Sequence, residues 1–181
     1  MERYVSLLRG INVGGHRKIR MADLAELYAA EGCGDVATYI QSGNVVFSGG
    51  GDGAGLERSL MAAIKQRFNL DVRVMVRTRA EWRAVLDGNP FGDVGEERFK
   101  QLVVTFLAEP PDDSGLDALA AIDLDSERYR VSGREIYIHC DLGYGQSAIP
   151  NGAIEKLMGV AATTRNWRTV IKLGDMLGGR S

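Results

Sequence analysis

The sequence predicts an α+β fold in which one order of elements, strand–helix–strand–strand–helix–strand, is used twice and followed by a terminal helix. Two patterns carry this reading. Short apolar runs bounded by glycine and polar turns recur in both halves and read as strands. The segments between them place apolar residues at helical spacing. Length agrees: 181 residues, 45% of them hydrophobic, suit one large domain or two small ones with an adequate core.

Tyr4 to Arg9 reads as the first strand. Met21, Leu24, Leu27 and Tyr28 then recur on one helical face, and Gly32 ends that helix. Val36 to Gln41 and Asn44 to Ser48 read as two strands joined tightly at Ser42-Gly43. Gly49 to Gly55 reads as a mobile glycine-rich linker. Leu56, Leu60, Ala63, Ile64 and Phe68 line a second helix, and Asp71 to Val76 is a fourth strand. Thr78 and Glu81 have the spacing of a capping box, which opens a connecting helix with Trp82, Val85 and Leu86 on one face. Asn89-Pro90 stops that helix.

The order then returns. Leu102 to Leu107 is a strand, and Leu116, Leu119 and Ile122 mark a short helix. Arg128 to Val131 and Glu135 to Cys140 are strands joined at Ser132-Gly133. Pro150-Asn151 opens a helix holding Ile154, Leu157 and Met158, and Val160 to Thr163 is a short last strand. Thr164 is placed to cap a final helix that turns Trp167, Val170, Ile171 and Leu177 inward. This is the split βαβ order of ferredoxin-like folds. The expected division is therefore an N-terminal ferredoxin-like subdomain over residues 1–77, a connecting helix and linker over 78–99, and a C-terminal ferredoxin-like subdomain with the terminal helix over 100–181. The halves agree in element order and not in residues, so the duplication is read from order alone.

A net charge of −2 means that bulk charge does not predict nucleic-acid binding. Local charge is uneven. The segment from Glu109 to Glu127 holds acids and no base, and reads as a solvated face. Residues 9–20 are the opposite, with Arg9, Arg17, Lys18 and Arg20 and no acid before Asp23. Two cysteines, Cys33 and Cys140, are too few for a disulfide framework. With no apolar leader and no run near the ~18 residues of a membrane span, the expected location is the cytoplasm, with no membrane partner.

Within the basic segment, Gly10-Ile11-Asn12-Val13-Gly14-Gly15-His16-Arg17 has the glycine spacing of a P-loop and follows a strand. His16 stands where the phosphate-reaching lysine belongs and Arg17 where the magnesium hydroxyl belongs, so a nucleoside triphosphatase is disfavoured. A looser anion nest of backbone amides fits better, against the plainer reading of a glycine-rich turn with solvated cations. Arg165, Arg168 and Lys172, at i, i+3 and i+7, read as one basic helix face, with Arg165 in the first turn. A cation is unfavourable there unless it has a carboxylate or ligand anion as partner. Gln41, Ser42 and Asn44 flank a tight turn and offer a polar rim. Tyr144 and Gln146 lie in a glycine-punctuated loop, where Tyr144 reads as a surface residue or a stacking platform.

Known catalytic patterns are missing from the sequence. His139, Cys140 and Asp141 are consecutive on a strand, where neighbours face opposite ways, so they form no local Cys–His dyad. Two histidines and two separated cysteines give no zinc spacing, and there is no G-x-S-x-G elbow. No metal or cofactor is expected. The two central strands of the first half carry Tyr4 and Phe47 without the aromatic cluster of an RRM-type RNA reader.

Three blocks carry a family resemblance. Tyr4-Val5-Ser6-Leu7-Leu8-Arg9-Gly10-Ile11-Asn12-Val13-Gly14-Gly15 resembles the opening of the DUF1697 family, a domain of unknown function. Thr38-Tyr39-Ile40-Gln41-Ser42-Gly43-Asn44-Val45-Val46-Phe47 resembles its second block, and Thr163-Thr164-Arg165-Asn166-Trp167-Arg168-Thr169-Val170 its C-terminal block. The resemblance implies a bacterial-type cytosolic protein with two ferredoxin-like subdomains, and carries no activity with it. It leads one to expect a lysine after the double glycine, where this chain has His16.

The leading expectation is a site for a small anion or phosphate-bearing ligand, a nucleotide or nucleic acid included. Arg9, Asn12, Gly14, Gly15, His16 and Lys18 would form it, Gln41, Ser42 and Asn44 would rim it, and Arg165 and Asn166 would complete it from the other half. Two alternatives stay open: an enzyme on a phosphorylated or carboxylated metabolite with His16 as acid–base, and a non-catalytic interaction module using exposed sheet edges.

Overall fold

The computed structural model describes residues 1–124 and 127–178, so Asp125 of the acidic run lies outside the described residues. The fold is mixed α+β, with two four-stranded antiparallel sheets and, among the described residues, six α-helices. The chain divides into two compact units, Met1–Ala84 with the stretch from Leu173, and Val85–Lys172.

In the first unit, β1 (Glu2–Leu8), α1 (Met21–Ala30), β2 (Gly34–Tyr39), β3 (Asn44–Gly49), α2 (Gly53–Phe68) and β4 (Val74–Thr78) follow in order. The sheet order is β2-β3-β1-β4. β1 pairs with β3 in a register that sets Tyr4 opposite Phe47, and with β4 so that Leu8 lies opposite Val74. The apolar stripes of α1 and α2 cover one face of this sheet. Leu24, Leu27, Tyr28, Leu60 and Ile64 pack there with Tyr4, Leu8, Val45, Phe47 and Val76. One buried carboxylate serves the backbone: Glu57 Oε1 accepts from the Val76 amide at 2.8 Å.

The segment Gly49 to Gly55 differs from the expected linker. β3 runs through Gly49, and α2 begins at Gly53 because Asp52 caps it, its carboxylate accepting from the Gly55 amide at 2.5 Å. An aspartate N-cap satisfies a first-turn donor that glycine flexibility would leave to water. The capping box forms as its spacing predicts. The Glu81 amide donates to Thr78 Oγ1 at 3.1 Å, the Thr78 amide donates to Glu81 Oε2 at 2.7 Å, and α3 (Arg79–Asp87) follows.

The second unit holds β5 (Leu102–Leu107), α4 (Asp113–Ala120), β6 (Glu127–Ser132), β7 (Glu135–Cys140), α5 (Asn151–Met158) and β8 (Ala162–Asn166). The sheet order, β6-β7-β5-β8, is that of the first unit. Val103, Leu107, Ile136, Ile138 and Cys140 face Leu119, Ile154 and Met158 in its core. The β6–β7 turn sits at Gly133-Arg134, one residue later than expected, with Gly133 at φ 59°.

The C-terminal block needs the largest correction. Residues Ala162–Asn166 are strand, paired antiparallel with β5 through Val103 and Asn166, and α6 (Trp167–Met176) begins after them. The cap is Asn166, whose Oδ1 accepts from the Thr169 amide at 2.9 Å, not Thr164. Thr164 is engaged elsewhere, its hydroxyl donating to Asn151 Oδ1 at 2.9 Å and lying 2.8 Å from Thr105 Oγ1. Arg165 is therefore on a strand and shares no helix face with Arg168 and Lys172. Pairing with β5 satisfies the backbone groups of this segment in the sheet ladder.

Candidate functional site

The basic glycine-rich segment follows β1 and closes on itself as a small hairpin. Val13 and His16 form an isolated bridge across Gly14 and Gly15, at φ 59° and 79°, the left-handed pair that a type I′ turn demands. The His16 amide donates to Val13 O at 3.1 Å and the Asn12 amide to Arg17 O at 3.1 Å. The His16 and Asn12 amides are thus spent inside the hairpin. The P-loop comparison also fails, because residues 18–20 are irregular and α1 begins only at Met21.

Asn12 anchors the base of the hairpin. At φ 54° it occupies the left-handed region that asparagine tolerates better than most residues. Its Nδ2 donates to Ile19 O at 2.9 Å and Gln41 O at 2.8 Å, and its Oδ1 accepts from the Ile19 amide at 2.9 Å. Asn12→Ala is expected to cost about 1–3 kcal/mol and to speed hydrogen exchange at the Ile19 amide. Unchanged exchange there would remove the anchoring role.

Beyond that anchor, every residue from Val13 to Lys18 is exposed. Arg20 is held by Asp23, its guanidinium donating to both carboxylate oxygens at 2.7 and 2.9 Å. His16, Arg17 and Lys18 have no ion pair among the described residues. Arg9 is half-buried, and its amide donates to Arg73 O at 2.9 Å. Gln41 is exposed, with its carbonyl bound to Asn12. Asn44 is fully buried, its Nδ2 donating to Tyr39 O at 2.9 Å and Ser42 Oγ at 3.0 Å. Asn44 and Ser42 thus tie the β2–β3 turn from within.

In the second unit, Arg165 is buried, and its Nη1 donates to Thr163 Oγ1 at 2.7 Å and Thr164 O at 2.9 Å. Burial lowers its pKa to about 10, which leaves it a cation at neutral pH. Asn166 is exposed. It lines a cleft of about 430 Å³ with Lys100, Val103, Thr164, Tyr144 and Gln146. Sequence reasoning had Tyr144 and Gln146 in a loop of interest but missed Lys100, which stands in no motif.

His139 and Cys140 face opposite sides of β7. Cys140 joins the helix-covered core, where burial raises its thiol pKa to about 11. His139 lies against Phe91, with Nδ1 3.3 Å from Arg128 Nη2 and 3.2 Å from Asp141 Oδ1. Burial, then the Arg128 charge, lowers its pKa, while Asp141 opposes them. No His/Cys/Asp/Glu cluster suited to a metal ion occurs among the described residues, and no helix there is long and apolar enough to cross a membrane.

Comparison with known proteins places this geometry. The chain is similar to a solved structure described as conserved bacterial protein SP0830 from Streptococcus pneumoniae, with a TM-score of 0.79 at 25% identity, covering 97% of this chain and 98% of that one. No curated protein matches it. The model of a family described as protein of unknown function (DUF1697) matches residues 1–137, which takes in the first sheet, the hairpin, β5, β6 and the start of β7. The chain belongs to the DUF1697 family.

Proposed function

We propose that this protein binds phosphate-bearing ligands through its basic hairpin, with a nucleic-acid backbone as the occupant that the geometry favours. One observation carries the reading: Arg17 and Lys18, with His16 beside them, stand exposed and without ion pairs among the described residues, on a hairpin braced by Asn12. Unpaired cations on a rigid projection suit phosphate contact, whose free energy comes chiefly from counterion release. The hairpin offers its side chains on an exposed surface. That suits an extended polyanion better than a single small anion. Arg9, Gly14 and Gly15 contribute by shaping the hairpin. In the second unit, the Arg165 donor Nη1 is already engaged by Thr163 and Thr164.

The same proposal reads the two units as duplicated ferredoxin-like modules of a cytoplasmic, bacterial-type protein. Matching sheet orders support the duplication, and two free cysteines and a similar bacterial protein support the setting.

Titration of a labelled single-stranded oligonucleotide at several salt concentrations tests the ligand reading. The Arg17→Ala/Lys18→Ala variant is expected to bind at least about tenfold more weakly, with a salt slope shallower by about 1–2. Loss of neither affinity nor slope, or no binding by the unaltered protein, overturns it.

A further inference from the structure

We propose that the cleft of the second unit is a separate ligand site, which takes a small flat ring bearing a phosphate or carboxylate. The cleft lies where the helix-covered face of the sheet runs out. Val103 and Asn166 are register partners at the ends of β5 and β8, and Thr164, two residues back along β8, pairs with Thr105. Side chains two apart on a strand share a face, so Thr164 and Asn166 form one floor. The wall is Leu142-Gly143-Tyr144-Gly145-Gln146, and Lys100 completes the lining.

Its volume of about 430 Å³ falls in the range of small-molecule sites, roughly 300–1,000 Å³. The composition is also of that kind. Val103, Leu142 and Tyr144 supply apolar surface, while Asn166 and Gln146 bring amide groups to the lining. Lys100 is a cation, and no carboxylate lines the cleft among the described residues.

The floor is organised in advance. Tyr144 Oη lies 3.3 Å from Thr164 Oγ1, which itself donates to Asn151 Oδ1, and Asn151 Nδ2 donates to Ala162 O at 3.0 Å. The phenol is thus tethered at its tip, and Tyr144 packs against the core of the unit while lining the cleft. The wall is tethered too, by Gln101 Nε2 donating to Asp141 O at 2.9 Å. A fixed aromatic ring, a lysine and amide groups around one small volume match a ring that stacks and an anion that pairs.

The test uses AMP as ring plus phosphate, adenosine as ring alone and inorganic phosphate as anion alone, followed by amide NMR. AMP is expected to move the signals of Gly143, Gly145 and Asn166, and to bind about tenfold more tightly than adenosine or phosphate. Lys100→Ala, at an exposed position, should remove the advantage of AMP over adenosine. Tyr144→Leu should weaken both, and Gln146→Ala gives a surface variant if Tyr144→Leu fails to fold. The Arg17→Ala/Lys18→Ala protein should keep all these shifts, which separates this site from the hairpin. Signals that stay still at millimolar AMP, or an affinity unchanged in Lys100→Ala and in the wall variants, overturn the proposal.

Discussion

Replacing Phe47 with alanine is expected to destabilise the first unit by about 3–5 kcal/mol, the range for truncating a buried phenylalanine. Phe47 has no exposed surface. Its ring stacks on Tyr4 at a centroid distance of 5.4 Å and 24° between planes, and meets Tyr28 edge-on at 5.4 Å and 76°. Truncation removes two aromatic contacts together and leaves a void between β1, β3 and α1. Tyr28 has little freedom to fill it, because its hydroxyl is 2.6 Å from Ser6 Oγ. Phe47→Leu keeps most of the apolar volume and should cost less than half as much. Urea denaturation followed by circular dichroism separates the cases: similar midpoints for the two variants would refute the volume argument and assign the loss to the ring contacts that both variants lack.

Gly43→Ala is expected to cost about 2–5 kcal/mol, from two causes of similar size. Gly43 adopts φ +80°, and an alanine forced into the left-handed region costs about 1–2 kcal/mol. A Cβ there would also lie 2.7 Å from Leu8 Cβ and 2.8 Å from Ile11 Cδ1, and such overpacking costs about 1–3 kcal/mol. The turn has no slack, because Gly43 O accepts from the Leu8 amide at 2.8 Å. Gly14 is the internal control. It too has a positive φ, +59°, but nothing within 4 Å of a built Cβ, so Gly14→Ala should show the backbone cost alone. Equal losses from the two substitutions would refute the steric part of the argument.

Much of the architecture was legible because its signals are short-range. The strands Leu102–Leu107 and Glu135–Cys140 have the bounds that their apolar runs predict, and Thr78 and Glu81 form their box at a separation of three residues. The C-terminal block was misread for the same reason. Thr164-Arg165-Asn166 carries two good cap residues, and local chemistry alone does not choose between them. Pairing with β5 makes the choice, since it keeps Thr164 and Arg165 in strand and leaves Asn166 to cap. The hairpin was half legible. Its glycines announced a turn and its cations a basic surface, but the bond from Asn12 to Gln41 joins it to the distant β2–β3 turn.

The sequence by itself determined the order of strands and helices, their approximate bounds, the family blocks and the basic turn, because periodicity, caps and turn residues act within a few positions of one another. Tertiary structure alone decided which surfaces those residues build. It bonded the Asn12 and His16 amides to carbonyls of the same hairpin, buried Asn44 and Arg165 among backbone and hydroxyl partners, and gathered Lys100, Tyr144, Gln146 and Asn166 around one cleft. Those four residues come from three separate segments. Their meeting is set by strand register and by how far the helices extend over the sheet, which no local pattern encodes.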